Sequence, residues 1–557
     1  MLNSINDTTV QPGEYRIIYK NNILDNVHGK IGLTAVEDAI ERKPIFKRLQ
    51  DISQLGLVKR IFPCALHNRY VHSLGVMYVA DKMAIKLNLN DDERQVIRLA
   101  GLLHDIGHYP FSHDTERVYR IVNRAGIKMK VLPPTAYEDI EDLKKPQNIK
   151  IELGGHKDDP FHHEAIGALV IKNNEDIREC ILNHYICNSA MMLKKCNELG
   201  QESVIDELLD DICAIVVGDC QHTSVLFPER MTLFVQMMHS ELDADNIDYL
   251  LRDAAFSGTT YGIMDMQLLI DGLIAKPITF SLPNNQHDTL HEKVEQEHYI
   301  LGIVPKGIGS VDQFMINRYL AYEQVIFSKY VSILGAMLRY VIRCFLTEEE
   351  YKEEYPFKDV KEIAKSDSNG VFLKFTDSTI LSLINSQSPD SILDPLKRKI
   401  ILALQKYRAF YLQPGDNDRT FSNLEKEKLY DVVRVEGKEL CEELDELFSE
   451  IEAYNRSTEN NLDKAHELQE RAFAYQTASR SITKQLPRSK YEEILEKTSQ
   501  EELETYYCDR LMNGVPVFDP NKSDEKGRPF LIVERQESIL HSVYGQSFLK
   551  IRHYQID

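Results

Sequence analysis

Residues 102–114 read LLHDIGHYPFSHD, three histidines and two aspartates in thirteen positions, entered from the apolar end of a helical pattern. Just upstream, RQVIRLAGLLHDIG places Val96, Leu99, Leu103 and Ile106 on one stripe of an amphipathic helix, and Gly107 followed by Pro110 predicts its end. His104 and Asp105 then fall in the last turn and face the interior. An unpaired carboxylate there costs several kcal/mol, so Asp105 requires a cationic partner, an arginine or a metal ion.

Working outward, residues 11–33 alternate and carry turns, which predicts short strands, whereas apolar spacing of three and four from Ala35 to about Phe345 predicts helices. KSDSNG (365–370), SQSPD (386–390) and QPGDNDR (413–419) mark loops or lobe boundaries. A charged helical pattern resumes over 424–505, and PFLIVE and SFLKIRHYQ suggest a small terminal sheet. The expected fold class is mainly α: a helical core with short N-terminal strands over 1–345, and a smaller α+β C-terminal lobe over 346–557 serving oligomerisation or regulation.

The 557 residues are 43% hydrophobic, enough for a sizeable core, and carry a formal net charge of −21. Such a charge repels nucleic acid globally, so a phosphorylated substrate must be drawn in by local cations or metal, and small molecules fit better than long DNA. Nine cysteines without a CxxC pair read as reduced thiols and argue against a thiolate zinc site. MLNSINDTTV lacks the basic start and apolar run of a signal peptide, and Arg339 and Arg343 interrupt YVSILGAMLRYVIRCFL. A cytoplasmic protein with no membrane partner is expected.

Two further stretches join the His-Asp pair. HNRYVHSLGV puts His72 in front of another amphipathic helix, and SELDADNIDYLLRD supplies Asp245 at the start of a third. His72, His104, Asp105 and Asp245 make two imidazoles and two carboxylates, a donor set suited to a divalent Mg, Mn, Fe or Zn with positions left for water. His163, in FHHEA, starts a helix and reads equally as a helix-capping histidine or a functional one.

The order H…HD…D, together with RYVHSLGV, AGLLHDIGHYPFSH, HHE and DNIDYLLRD, resembles the HD phosphohydrolase superfamily and, within it, the deoxynucleoside triphosphate triphosphohydrolases. LDNVHGKIGL and PIFKRLQDISQLG look like the stretches before the metal site in those enzymes, so the resemblance covers roughly residues 23–340. It implies an HD-domain helical core that hydrolyses (deoxy)nucleoside triphosphates to nucleoside and triphosphate. By the same resemblance Arg69 holds a phosphate, and His108, His113 and His163 contact phosphate or move protons. Glu116 orients a catalytic histidine, most naturally His163. Gln54 and Leu55 touch the sugar, Tyr249 packs on it, Asp253 bonds its 3′-hydroxyl, and Arg318 and Lys329 keep the basic residues of their helix. His162 and His156 match no role. The implied partners are a nucleotide substrate, further copies of the chain in a homo-oligomer (dimer or tetramer), and a nucleotide effector.

Three positions depart from the family pattern. Asn246 stands in place of a lysine on the triphosphate, and Ile326 in place of a tyrosine that excludes a 2′-hydroxyl. Arg42 replaces an acidic residue that reads guanine, so activation by guanine nucleotides is not expected; beside Lys43 and Lys47 it suits the phosphates of another effector. These departures leave room for another phosphoester (a cyclic dinucleotide, an alarmone or a single-stranded DNA end) or for a nucleotide sensor without turnover.

Overall fold

The computed structural model describes residues 15–124, 131, 159–280, 296–366, 370–409, 411–412, 418–423, 438–457, 461–482, 510–523, 528–543 and 547–556. The N-terminal alternation becomes a hairpin of β1 (Asn21–Asp25) and β2 (Gly29–Leu33), in register Asp25 to Gly29. Gly29, at φ 72, takes the left-handed conformation that the tight turn demands. The helices that matter for the site follow: α1 (Ala35–Glu41), α2 (Arg69–Lys86), α3 (Asp91–Leu103), α4 (His113–Arg124), α5 (His163–Asn173), α6 (Gln201–Val217) and α7 (Ala244–Ser257).

Local chemistry sets their ends. Asn68 caps α2 by accepting from the Val71 amide, and Asn90 caps α3 in a reciprocal box with Glu93. The stripe Val96, Leu99, Leu103 and Ile106 is fully buried, as its spacing predicts. The boundary differs by one turn: α3 ends at Leu103, His104 is its C-cap and Asp105 lies just beyond. His72 is likewise inside the first turn of α2 rather than in front of it.

The helical span expected up to 345 is interrupted by β3 (Leu273–Phe280) and β4 (Gln296–Ile303), paired antiparallel. LIAKPITF and YILGI are rich in β-branched and aromatic residues, and Pro277 is tolerated because β3 is an edge strand. Next come α8 (Ile308–Ala321), a π-turn at Tyr322–Ile326 and α9 (Lys329–Thr347). Among the described residues α9 alone is long and apolar enough to cross a membrane, and 67% of its most apolar window is buried within the protein.

One apolar core runs from Ile31 to Tyr554, taking in Tyr351, Phe375, Ile401, Val517 and Leu531, and a second cluster gathers Leu444, Leu447, Ile451, Leu468 and Ile551. Later elements include α10 (Asp377–Ser386) and α11 (Leu462–Ala474). SFLKIRHYQ is a strand, Ser547–Gln555, flanked by Asp418–Asn423 and Tyr475–Ser481. PFLIVE forms only the two-residue strand Phe530–Leu531 before a 3₁₀ turn. Of the charged pattern at 424–505, Lys438–Arg456 and α11 are helical and Tyr475–Ser481 is a strand, while 424–437 and 483–505 lie outside the described residues. The architecture is mainly α with small sheets.

Candidate functional site

The first turn of α2, the C-cap of α3 and the first turn of α7 bring His72, His104 and Asp245 together, with ligand atoms all within 4.8 Å of one another. Asp105 closes the set, Oδ1 lying 3.4 Å from His104 Nε2 and Oδ2 3.8 Å from His72 Nε2. The Nδ1 of each ring is occupied: His72 bonds Asp248 Oδ2 at 2.7 Å and His104 bonds the Gly101 carbonyl at 2.8 Å. Both rings therefore present Nε2 to the centre, as ligating histidines fixed through their other nitrogen do. Those two Nε2 atoms are buried without a hydrogen-bond donor or acceptor assigned to them, and Asp245 Oδ1 stands 2.9 Å from His72 Nε2. Orphaned nitrogens between two carboxylates fit a divalent cation. Burial works against a proton on His72, yet Asp245 and Asp248 outweigh it and push its pKa up to about 10, while burial holds His104 below its ordinary value.

Asp248 braces this centre. Its carboxylate faces His72 Nδ1, His28 Nε2 (2.6 Å) and the Arg252 guanidinium (2.9 and 3.0 Å), and Arg252 also reaches Asp25 at 2.7 Å. The hairpin turn thus supports α2 through α7. Gly75 makes room for it: a Cβ there would lie 1.9 Å from Asp248 Oδ1. Asp25, His28, Asp248 and Arg252 carry no role in the sequence reading; the i,i+4 spacing of Asp248 and Arg252 is the signal along the chain that points to their pairing.

A second cluster adjoins the first. Glu116 Oε2 is 2.9 Å from His113 Nδ1 and 3.1 Å from His163 Nδ1, so it serves both histidines. His108 stacks on His163 at 4.2 Å, and both of its nitrogens are buried without partners. Burial, reinforced by Arg69 and His163, holds His108 well below the usual histidine range. Burial opposes the proton on His163 as well, but Glu116 prevails and raises its pKa to about 9. The His113 side chain is 68% exposed, opening this cluster to solvent. His163 Nε2 lies 3.9 Å from Asp105 Oδ1, which joins the two clusters. His162 also approaches Glu116, at 3.3 Å. The helix α5 carrying His163 comes this close because Gly107 packs on Gly167, where a Cβ on Gly107 would meet the Gly167 nitrogen at 2.1 Å.

The turn between His108 and His113 is strained. Phe111 and Ser112 both have left-handed φ, 55 and 58, at a cost of about 1–3 kcal/mol each. Asp377, at the start of α10, holds it by accepting from the amides of Phe111 (2.6 Å) and Ser53 (3.0 Å). Ser112 Oγ donates to the Ser53 carbonyl and accepts from Arg69 Nε. Arg69 Nη1 bonds Asp105 Oδ2 at 2.9 Å, the cationic partner that Asp105 requires. Burial would raise the Asp105 pKa, but Arg69, His104 and His72 hold it far below the carboxylate range.

The remaining sequence-singled residues are placed unevenly. Gln54 is buried beside Arg69, its carbonyl 3.5 Å from Nη2 and its side-chain Oε1 sealed without a partner. Leu55, like Tyr261, packs against the small cluster of Val58, Ala65 and Val325. Tyr249 meets Tyr322 edge-on at 6.4 Å, so an aromatic one turn before Ile326 stands on this wall. Asp253 is engaged by His67 Nε2 at 2.7 Å. Arg318 donates to the Glu241 carbonyl, and exposed Lys329 lies against the Tyr330 ring. Asn246 turns back onto its own helix cap, bonding Asp243 and the Ser240 carbonyl. Arg42, Lys43 and Lys47 are paired with Asp38, Asp176 and Glu41.

Residues 69–184 match the HD domain family. An uncharacterized protein of Methanocaldococcus jannaschii is 25% identical over 409 residues, 73% of this chain and 64% of that one. The deoxynucleoside triphosphate triphosphohydrolase SAMHD1 homolog of Dictyostelium discoideum is 24% identical over 65% of this chain and 60% of its own. The bovine SAMHD1 triphosphohydrolase is 42% identical over 98 residues, 16% of this chain and 17% of its own. The chain spans 64%, 59% and 47% of three curated relatives that it matches. The fold is shared with a hypothetical protein of Aquifex aeolicus, at TM-score 0.52 and 18% identity over 96% of both chains.

Proposed function

From the premise that this chain carries an HD domain, we propose that it is a metal-dependent phosphohydrolase that splits (deoxy)nucleoside triphosphates into nucleoside and triphosphate. The observation that carries this reading is Asp105, shared between the His72, His104, Asp245 set and the His163–Glu116 pair, which puts a cation site and a proton-holding site against one another. His72, His104, Asp105 and Asp245 would hold the divalent cation, which when bound polarises a phosphoryl group and lowers the pKa of water. His163, kept protonated by Glu116, holds a proton beside Asp105. His113 shares the same carboxylate and faces solvent, the position from which a proton reaches the departing sugar oxygen as the phosphorus–oxygen bond breaks. Arg69 and Arg318 supply positive charge near the phosphates, and Tyr249 with Tyr322 walls the sugar.

The likeness to SAMHD1 proteins supports the nucleotide part of this reading. The test is to incubate the purified chain with each ribo- and deoxynucleoside triphosphate in Mg or Mn and to separate the products by ion exchange. Nucleoside plus inorganic triphosphate is expected; diphosphate, or no product, overturns it. The Asn246 side chain, committed to Asp243 and Ser240, leaves the triphosphate one contact short and favours a second reading, hydrolysis of another phosphoester, as the outcome if triphosphates are refused.

A further inference from the structure

Past His113 and Glu116, helix α4 walls a separate cavity, part of it open to solvent. Its apolar lining comes from Val118, Ile121 and Val122 of α4, Ala336 of α9, and Ala472 and Phe473 of α11. Arg117, Arg339 and Arg343 also line it, a local reversal of charge in a chain of net charge −21. Arg339 is committed to Asp114, the neighbour of His113. Arg343 has no such partner: Glu348, the acid that acts on it, is itself paired with Lys397 at 2.7 Å. Among the described residues it forms no ion pair. Its guanidinium lies 4.9 Å from the Tyr340 ring centroid, Nη2 is 3.9 Å from Cys344 Sγ, and Nε is sealed from solvent without a hydrogen-bond partner.

An arginine keeps its charge at every physiological pH, and a half-buried guanidinium with its Nε sealed from solvent and no ion pair favours an anion beside it. A carboxylate or phosphate can do so through two parallel hydrogen bonds to the planar fork. The apolar walls next to that fork exclude a fully hydrated ion and suit a hydrocarbon or aromatic body.

We propose that this cavity is a binding site for an amphiphilic anion, Arg343 taking its phosphate or carboxylate head and Phe473 with the aliphatic residues of α4 taking its apolar body. The site shares helix α4 with the His113–Glu116 cluster but none of that cluster's side chains and none of the cation-site residues, so it stands or falls separately from the substrate reading.

Calorimetric titration of the full chain with octyl phosphate and octanoate, below their micelle concentrations, tests it; octyl glucoside and inorganic phosphate serve as comparators. Saturable binding of either anion at a single site is expected, with neither comparator matching it. Arg343→Met should weaken that binding about tenfold or more. Ala472→Phe, which fills the cavity and keeps the charge, should abolish it. Both variants are checked for native circular dichroism, and because the two act by different means, one folded variant suffices. No binding of either anion, equal affinity in a folded variant, or equal affinity for octyl glucoside would overturn the proposal.

Discussion

Arg69 and Asp105 form a buried ion pair, Nη1 to Oδ2 2.9 Å, with both side chains almost wholly excluded from solvent. Removing the guanidinium strands a buried carboxylate, so Arg69→Met should destabilise the metal-free chain by about 3–5 kcal/mol. A divalent cation on the same carboxylate replaces the lost charge, and the deficit should shrink when Mn is added. Urea unfolding with and without metal measures this; an equal deficit in both would place Arg69 outside the electrostatics of the centre.

Asp248 touches the His72 ring on the side away from the cation site. Asp248→Asn should lower metal affinity about 10–100-fold, the usual effect of losing a carboxylate that orients a ligating histidine. Metal content after dialysis against graded chelator is the readout. Unchanged content would show that His72 is positioned by packing alone.

Glu116 serves two histidines at once, which predicts non-additivity. Glu116→Gln and His163→Ala should each reduce turnover about 10²-fold, and the double variant should be little worse than either. Multiplying effects would mean that the carboxylate and the ring act independently.

Asp377 ties the strained Phe111–Ser112 turn to α10. Asp377→Ala leaves two backbone amides without their acceptor and should cost about 1–3 kcal/mol each, while lowering kcat and sparing metal content. Loss of metal at the same time would show that the turn positions the ligands as well.

His222 Nε2 lies 2.8 Å from Asp211 Oδ1, and that hydrogen bond raises the histidine's pKa above its ordinary value. A raised histidine contributes stability that is fully present below about pH 6.5 and is lost as pH climbs through the folded value. The Tm gap between the wild type and His222→Gln should therefore be wider at pH 6 than at pH 8.5. A gap that widens with pH would reverse the assignment.

What can be read along the chain is what neighbours within a turn decide. The stripe from Val96 to Ile106 depends on residues three or four apart and the His104–Asp105 pair on immediate neighbours, so periodicity made them legible, whereas the Asn90 cap emerged only with the structure. The β3–β4 hairpin was not legible, because its short apolar runs look alike as helix or strand until a sheet pairs them. The partner of Asp105 was required by its burial, but only the packing of α2 against α3 chose Arg69. Asp248 meets His72 across 176 residues of chain, and Asp377 meets Phe111 across 266. Contacts over such separations leave no local pattern, because they exist only once the core has closed and brought an α7 carboxylate and an α10 terminus against the same buried centre.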